Sequence, residues 1–397
     1  MSGLLSIDEA LARVLARVRP LEAERVGVSE AAGRFLAEDV AAQVSLPPFA
    51  SSAMDGFAVR AVELPGTLPI GLRIAAGAPA GRALEPGEAM GIATGAAVPE
   101  GADAVVPIES VVEIDNRIEV ATAVSAGLHI RPVGGDVREG EPVLSAGTRL
   151  GAAQIGALAA VGAAEVSCVR RPSVVVLSTG TELRRPGEPL GPGQIYESNG
   201  PMLAAALASA GAIVERIGPV ADDEAEHRPA LERGLEADVL VSSGGVSVGP
   251  HDLVRRILAE LGVEEHFWRV AVRPGKPVSF GTRGATLVFG LPGNPVSSLV
   301  GLELFVRPAL RALQGAAEPG PGYESGRLAV ALRRNAARDE LVRARIRRGN
   351  GETELDPLSG QESHMIARAS AANALVLVPS GEGELAPGDR VRYLRLS

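Results

Sequence analysis

Five loops in the middle of the chain place polar and charged side chains directly after predicted β-strands. They are Ser178-Thr-Gly-Thr-Glu-Leu183, Ala221-Asp-Asp223, Ser242-Ser-Gly-Gly-Val-Ser-Val-Gly249, Arg273-Pro-Gly-Lys-Pro277 and Gly290-Leu-Pro-Gly-Asn-Pro295. In an open α/β sheet, ligands bind beyond the carboxyl ends of the strands, so these loops would form the rim of one site. Any one of them could simply shape a turn, but their convergence favours a functional site.

The loops combine an anion-binding backbone with oxygen ligands for a metal ion. The Ser/Gly loop leads into a helix, so its free backbone N–H groups and the positive helix terminus would receive a phosphate or similar anion. The carboxylates suited to Mg²⁺ are Glu182, Asp222 or Asp223, and Asp252. An aspartate at a helix start can also serve only as a cap. The loops therefore predict an anion site with magnesium, and metal-assisted attack at a phosphoryl group.

Lys276 is the only lysine among 39 basic residues. Such a bias indicates that arginine serves wherever a generic positive charge suffices. An ammonium group is a compact charge that can approach an oxyanion where a planar guanidinium would not fit. Lys276 is therefore predicted to neutralise an oxyanion at the rim, although chance survival of one lysine is the simpler alternative.

Composition and missing motifs exclude several classes of function. The net charge of −9 comes without a basic block, so a nucleic-acid partner is not expected. The single cysteine, Cys168, can neither form an intramolecular disulfide nor supply paired thiolates to a zinc site. No apolar run approaches about 18 residues, so no membrane span is expected and a cytoplasmic location is predicted. The anion loop matches neither a P-loop nor a dinucleotide fingerprint.

The elements that would position these loops alternate strand and helix over residues 172–314. This alternation is typical of a doubly wound, mostly parallel α/β sheet. Before it, 44–135 is predicted to be a small β-rich domain, and 1–43 with 136–171 a discontinuous linker domain. Residues 319–397 are predicted to form a C-terminal β-barrel-like domain. The fold class is therefore α/β plus β with several domains, as expected for 397 residues.

Local signals predict particular elements. Ser6-Ile-Asp-Glu9 is a capping box, and the apolar spacing after it predicts a helix that stops at Pro20. Asp222 is predicted to cap a helix that runs through Leu235. One helix is predicted from Val296 to Leu313, and a strand near Phe267 to Val272.

Six ordered strings together resemble the MoeA family, whose eukaryotic relatives include the E domains of gephyrin and plant Cnx proteins. They are Ser52-Ala-Met-Asp-Gly-Phe-Ala58, Ala93-Thr-Gly-Ala-Ala-Val-Pro99, Ser178-Thr-Gly-Thr-Glu182, Ser243-Gly-Gly-Val-Ser-Val-Gly249, Pro274-Gly-Lys-Pro277 and Leu291-Pro-Gly-Asn-Pro295. The resemblance spans all the predicted domains. The middle segment alone would also fit a molybdopterin adenylyltransferase, and the Ser-Ala-Met-Asp-Gly string with the terminal β-domain favours the molybdenum insertase.

This resemblance implies insertion of molybdenum from molybdate into adenylylated molybdopterin, with Mg²⁺ and release of AMP. It also implies a homodimer whose cleft lies between the α/β domain of one subunit and the small β-domain of the other. Whether an adenylyltransferase docks as a partner stays open. The positions that the resemblance marks as functional are Asp55, Thr94, Asp136, Glu182, Asp222, Asp252, Lys276, Pro292 and Pro295, with Glu182, Asp222 and Asp252 near Mg²⁺.

Further positions are expected to contact the cofactor under synthesis. They are Ser178, Gly180, Ser243, Gly244, Gly245, Ser247, Gly249, Pro292, Gly293, Asn294, Pro295, Arg338 and Ser363. Arg338 and Ser363 align loosely with residues that hold molybdate in the family. One departure is Gly249-Pro-His-Asp252, which lacks a carboxylate that family members often have. The alternatives are an adenylyltransferase-like enzyme and a non-catalytic scaffold of the gephyrin type, and the intact rim favours an enzyme.

Overall fold

A computed structural model describes residues 4–245, 253–349 and 352–396 of the chain. Three residues of the predicted site, Ser247, Gly249 and Asp252, lie outside these described residues. The described chain forms a multidomain α/β plus β structure, which confirms the predicted fold class. No helix in the described residues is both long and apolar enough to cross a membrane.

The N-terminal helix begins at the predicted capping box. Ser6 Oγ accepts a hydrogen bond from Glu9 N at 3.2 Å, and Ser6 N donates to Glu9 Oε2 at 2.8 Å. The helix spans Ile7–Leu15 and ends before the predicted stop at Pro20. After Leu15, bonds over three residues, from Arg17 N to Val14 O and from Val18 N to Leu15 O, replace the α-helical pattern, as is common at helix ends.

Residues on both sides of the small β unit pair with each other. The strand Ala23–Gly27 lies antiparallel to Glu165–Val169, and Val40–Ala41 pairs with Pro142–Leu144. The 3₁₀ turn Val28–Glu30 packs against the helix Ala152–Ala160. The first helix packs elsewhere, since Ile7, Ala10 and Val14 join the core of the central α/β unit. The exact domain boundaries stay a prediction.

The small β unit contains a six-stranded sheet in the described chain. In spatial order its strands are Ala104–Pro107, Gly56–Val59, Ala89–Ile92, Gly66–Ile74, Arg117–Val120 and Val112–Ile114. A short ribbon joins Ser51–Ser52 to Ile130–Arg131. Single 3₁₀ turns lie at Ala61–Glu63 and Ile108–Ser110. Asp55 therefore lies just before Gly56–Val59 and Thr94 just after the neighbouring strand Ala89–Ile92, at the same end of the sheet.

The central unit is built on a second six-stranded sheet. In spatial order its described strands are Ile213–Val220, Ser173–Thr179, Val239–Ser243, Thr286–Leu291, Ser279–Arg283 and Glu264–Trp268. The first four are parallel and the last two join antiparallel. The helices of this unit are Asn199–Ser209, Glu224–Gly234, Leu253–Glu260, Pro295–Gly301 and Arg307–Leu313. A parallel ribbon of Leu183–Arg184 and Ile195–Tyr196 lies beside the sheet.

Alternating side chains of the sheet bury both of its faces. Val174 and Val176 pack with the helices that begin at Asn199 and Pro295, whereas Val175 and Leu177 pack with the opposite pair of helices. A strand with apolar residues at successive positions must be covered on both sides. The carboxyl ends of the parallel strands consequently form one common edge.

The predicted strand near Phe267 to Val272 is wrong as a single element. The structure has Glu264–Trp268 in the central sheet and Val272–Arg273 in the C-terminal sheet. Arg269 between them has a φ of 80°, and this left-handed conformation ends the first strand. The two halves of the segment thus link the two units.

A π-helical turn interrupts the predicted helix from Val296 to Leu313. Leu302–Val306 forms this turn between the α-helical segments Pro295–Gly301 and Arg307–Leu313. All five of its residues are buried. Such turns are rare and lie frequently at functional sites.

A closed five-stranded barrel forms the C-terminal unit. Its described strands are Tyr323–Leu328, Asp339–Gly349, Glu352–Pro357, Ala374–Val378 and Arg390–Arg395. The ribbon Leu332–Arg333 with Glu384–Leu385 and the short helix Ile366–Ala369 complete this unit. Leu341, Leu375 and Leu377 of the barrel share a core with the central unit. The barrel is thereby held against the edge of the α/β sheet.

Candidate active site

A cavity of about 500 Å³ lies at the carboxyl end of the central sheet. Its lining residues come from three rim loops, from the start of the helix Asn199–Ser209 and from the C-terminal barrel unit. They are Ser178, Thr179, Glu182, Leu183, Ile195, Tyr196, Glu197, Ser198, Asn199, Ser243, Gly293, Asn294, Pro295, His364 and Ile366. The structure thus brings together Ser178, Glu182, Ser243, Gly293, Asn294 and Pro295 of the predicted site residues.

Glu197 is a buried carboxylate at the base of this cavity. It is 3% exposed and accepts hydrogen bonds from Ser178 Oγ at 3.1 Å and from Gly200 N at 2.5 Å. Arg216 lies 3.6 Å from its second oxygen. Glu197 therefore fixes the start of the helix against the end of the first strand. Sequence analysis missed it, because Glu197-Ser-Asn-Gly200 resembles an ordinary helix start.

Asn199 joins three rim elements through its amide. Its Nδ2 donates to Ser243 Oγ at 2.7 Å and to Gly293 O at 2.7 Å. Because both bonds need a donor, the orientation of the amide is determined. Its Oδ1 is buried and has no hydrogen-bond partner among the described residues, and the same holds for Thr179 Oγ1. Buried polar atoms normally have partners, so these two oxygens in the cavity wall are suited to donor groups of a ligand.

Hydrogen bonds tie the loop of Glu182 to that of Asp222. Thr181 N donates to Asp222 Oδ2 at 3.3 Å, and Asp222 N donates to Thr181 Oγ1 at 3.1 Å. The predicted helix cap at Asp222 is wrong by one residue, since Asp223 accepts from Ala225 N at 2.8 Å and the helix starts at Glu224. Asp222 is consequently bonded to the loop that carries Glu182, although it is not among the residues that line the cavity.

The described residues contain no group of three histidine, cysteine, aspartate or glutamate side chains that could hold a metal ion. Asp252, the third predicted ligand, lies outside the described residues. Mg²⁺ is commonly bound by one or two carboxylates together with phosphates of the substrate. Glu182 and Asp222 on adjoining loops fit that pattern, so the carboxylates present are compatible with a magnesium–phosphate complex.

The glycines of the Ser/Gly loop are required by the close approach of two strand ends. Gly244 has a φ of 97°, and a Cβ atom there would lie 2.6 Å from Thr179 O. Gly245 also has a positive φ, of 64°. A side chain would collide with the backbone after the first strand. Gly180, which follows Thr179 and has a φ of 154°, donates its N–H to Val220 O at 3.0 Å.

The C-terminal barrel unit reaches the rim at Ser363. Asn294 Nδ2 donates to Ser363 Oγ at 3.0 Å, and Val296 N donates to Ser363 O at 3.1 Å. Pro295 is the first residue of the helix, and Pro292 O accepts hydrogen bonds from Ser298 Oγ and Ser243 Oγ. Arg338 belongs to a different loop, where its N–H donates to Asn335 Oδ1 at 3.1 Å. The structure brings Ser363 against Asn294 and Val296 of the rim, but neither Ser363 nor Arg338 is among the residues that line the cavity.

Lys276 is half-buried between the central unit and the barrel. Its carbonyl accepts from Val270 N at 3.0 Å. Within the described chain, its ammonium group forms no ion pair with a carboxylate. Lys276 is not one of the residues that line the cavity. Its charge is nevertheless not neutralised by a described neighbour.

Asp55 and Thr94 form a separate cluster in the small β unit. Asp55 Oδ1 accepts from Thr94 N at 2.7 Å, and this backbone bond lowers the pKa of Asp55. Asp55 also lines a shallow depression with Phe57 and Arg73. Asp136 is exposed, and its N–H donates to Leu46 O at 2.9 Å. None of these three predicted residues lines the cavity at the central sheet.

Matches to family models cover most of the chain. The MoeA N-terminal region, comprising domains I and II, matches residues 5–162. A probable molybdopterin binding domain matches residues 175–312. The MoeA C-terminal region, domain IV, matches residues 325–396.

Curated relatives and solved structures align over nearly the full length. Molybdopterin molybdenumtransferase 2 of Mycobacterium tuberculosis is 38% identical over 412 residues, with 100% of both chains covered. Molybdopterin molybdenumtransferase of Haemophilus influenzae is 34% identical, covering 98% of both chains. A crystal structure of a molybdopterin biosynthesis MoeA protein from Pyrococcus horikoshii superimposes with a TM-score of 0.85 at 28% identity, covering 99% of this chain and 100% of that chain.

Proposed function

Because the chain belongs to the MoeA family and is a transferase of molybdenum cofactor biosynthesis, we propose that it inserts molybdenum into adenylylated molybdopterin with release of AMP. The single observation that carries the proposal is the cavity at the carboxyl end of the central sheet. There the rim loops meet Asn199 Oδ1 and Thr179 Oγ1, which have no hydrogen-bond partner among the described residues, and Glu182, whose carboxylate is suited to a magnesium–phosphate complex. Molybdate and the adenylylated pterin are the substrates in this proposal.

The described residues have distinct parts in this proposal. Asn199 Oδ1 and Thr179 Oγ1 would accept hydrogen bonds from donor groups of the pterin or the nucleotide. The positive charge of Lys276 would attract the oxyanions. Glu182 and Asp222 would hold Mg²⁺, which when bound neutralises phosphate charge and polarises the bond to be broken. Ser363 would place the barrel unit beside the substrate through its bond to Asn294.

Asp55 and Thr94 require a second subunit under this proposal. They do not line the cavity of their own chain, and a homodimer would allow the small β unit of the partner to close it. The dimer, a docking adenylyltransferase and a cytoplasmic location stay parts of the proposal.

The test is AMP release from adenylylated molybdopterin with Mg²⁺ and molybdate, with the product checked by reconstitution of a molybdenum apoenzyme. Lys276→Ala and Asn199→Ala are expected to lower the rate by at least about tenfold, since each removes a charge or a donor–acceptor group at the substrate. Arg283→Ala, which changes an exposed arginine in a hairpin away from the cavity, is the matched control.

The outcomes separate the proposal from its alternatives. Molybdate-dependent AMP release followed by reconstitution supports the insertase. Consumption of ATP with molybdopterin would instead indicate an adenylyltransferase. A folded protein that carries out neither reaction would contradict an enzymatic role and favour a scaffold.

A further inference from the structure

A second cavity, of about 250 Å³, lies away from the rim of the central sheet and is lined by arginines. Arg307 and Arg311 project into it from the last helix of the central unit. Arg395 enters from the final strand of the barrel, and Arg149 from the loop before the helix Ala152–Ala160. Three separate parts of the chain thus bring positive charge to one place.

Two of the four guanidinium groups have carboxylate partners. Arg307 donates to both oxygens of Glu303 at 2.7 and 2.8 Å, and the side chains of this pair are 15% and 8% exposed. Arg395 donates to both oxygens of Glu324 at 2.8 and 2.7 Å. These pairs neutralise one charge each and fix the direction of the guanidinium planes.

The other two guanidinium groups carry charge that the described residues do not neutralise. Arg311 donates from Nη1 to Gly320 O at 3.0 Å, and neither Arg311 nor Arg149 forms an ion pair with a carboxylate of the described chain. Burial lowers the pKa of Arg311, the charges of Arg307 and Arg149 lower it further, and Glu303 opposes them. The cavity is therefore an electropositive place that lacks a counter-charge of about two units.

We propose that this cavity binds a tetrahedral oxyanion that carries two negative charges, such as a phosphate group. The planar fork of a guanidinium group matches two oxygens of such an ion, and Arg311 presents a guanidinium group without a carboxylate partner in the described chain, whereas the fork of Arg307 is bonded to Glu303. A dianion balances the charges of Arg311 and Arg149. The proposal goes beyond the insertion reaction, since none of these residues lines the cavity at the central sheet.

A purely structural explanation accounts for only part of the cluster. Basic residues in the last turn of a helix interact favourably with the helix dipole, and this explains Arg311. Arg395 is held by its bonds to Glu324, but neither the dipole nor an ion pair in the described chain explains why Arg149, from another unit, faces the same cavity. The π-helical turn directly before Arg307 also holds Glu303 in place for its pairing with that arginine.

The test is isothermal titration of the full-length protein with inorganic phosphate at constant ionic strength in chloride buffer. Wild type is expected to bind phosphate, and Arg311→Gln and Arg149→Ala to weaken that binding at least about tenfold. Arg283→Ala is expected to leave it unchanged. Lys276→Ala reports on the rim, where the proposed function places Lys276 near the substrate oxyanions: phosphate bound there would be lost in Lys276→Ala and kept in Arg311→Gln, so failure at the second cavity would leave the proposed insertion reaction untouched.

Parallel titrations with molybdate and with AMP distinguish the sources of the oxyanion. Equal binding of phosphate and molybdate with weaker AMP indicates a free inorganic ion, whereas tighter AMP indicates the phosphate of a nucleotide. Arg311→Lys keeps the positive charge and loses the two-pronged guanidinium group. It is expected to bind phosphate with an affinity between those of wild type and Arg311→Gln, which would show that the weaker binding does not come from misfolding. The proposal is overturned if wild type does not bind phosphate, or if the variants at Arg149 and Arg311 bind it as wild type does.

Discussion

At the residue scale, the buried side chains of Glu197 and Asn199 connect the rim segments through hydrogen bonds to Ser178, Ser243 and Gly293. The strings around Ser178, Ser243 and Asn294 were recognisable because glycine and proline punctuate them. Glu197 is missed because Glu197-Ser-Asn-Gly200 resembles an ordinary helix start, and Asn199 is missed because its hydrogen bond to Gly293, 94 positions away, leaves no local pattern. Burial, which makes Glu197 and Asn199 informative, is a property of the folded chain.

His227 gives a prediction about pH and stability. It is 1% exposed, and neither ring nitrogen has a hydrogen-bond partner among the described residues. Burial lowers its pKa, while Asp222, Asp223 and Glu226 oppose that shift. The unfolded chain therefore binds a proton near its ordinary pKa that the folded chain does not, and stability is lost as the pH falls below about 6.5.

His227→Leu is expected to remove this loss and to raise the free energy of unfolding at neutral pH by about 1–3 kcal/mol. Urea unfolding at about pH 7.5 and about pH 5.5 measures both effects, and wild type should lose up to about 1.4 kcal/mol more than the variant between them. The exposed His364 provides the matched control as His364→Leu. An equal pH dependence in wild type and His227→Leu would contradict the prediction.

At the element scale, helix and strand types were predicted well, and their ends less well. The capping box at Ser6 was correct because its two bonds are local in sequence. The helix passes into 3₁₀-type bonds after Leu15, and Arg269 breaks its strand through a φ of 80°. Neither Leu15 nor Arg269 is a residue type that marks the end of an element in a sequence, and helix ends commonly fray by one or two residues.

Two neighbouring aspartates follow the strand Ile213–Val220 and have different roles. Asp223 caps a helix, and Asp222 is bonded to the loop of Glu182. Asp223 caps the helix, so Asp223→Ala is expected to lower the free energy of unfolding by about 1 kcal/mol while AMP release is kept. Asp222→Ala is expected to lower the free energy of unfolding by less than Asp223→Ala does, and to reduce the rate of AMP release. Chemical unfolding and the AMP assay on both variants provide the comparison, and equal stability losses would show that the assignment of the cap is incorrect.

Gly156 offers a stabilising change in the helix Ala152–Ala160. A Cβ atom there would meet nothing within 4 Å, and its φ is not positive. Gly156→Ala should raise the free energy of unfolding by about 0.5–1 kcal/mol, because glycine loses more backbone freedom on folding than alanine. Gly244→Ala, at a positive φ and 2.6 Å from Thr179 O, should lower it instead. Thermal unfolding of the two variants checks the opposite signs.

At the scale of the whole molecule, the predicted α/β plus β fold class with several domains is confirmed, whereas the division into particular domains stays a prediction. The sequence could not predict that the cavity lies between the central sheet and the barrel, since Asn294 and Ser363 are 69 positions apart. Nor could it show that strand Val272–Arg273 joins the barrel by pairing with Asp339 and Glu340. Such arrangements follow from long-range packing and not from local periodicity.

A shared site between two subunits predicts complementation of inactive variants. Asp55→Ala and Lys276→Ala alter residues that the proposal places on different subunits of one cleft. In a refolded equal mixture, about half of the dimers are mixed and each has one intact cleft, so about a quarter of wild-type AMP release should return. If each cleft belongs to one chain, the mixture should be as inactive as its components.

The π-helical turn Leu302–Val306 is a place where one residue can be gained or lost without disturbing the helix around it. Its hydrogen bonds enclose one residue more than those of an α-helix, so the turn absorbs an inserted residue without rotating the helix on either side. Loss of one residue there would leave Ser298 and Arg311 on the faces they occupy now. Loss of one residue within Arg307–Leu313 would swing Arg311 away from its cavity by about 100°. Homologous helices one residue shorter at this turn are thus expected to be regular α-helices with the same buried face.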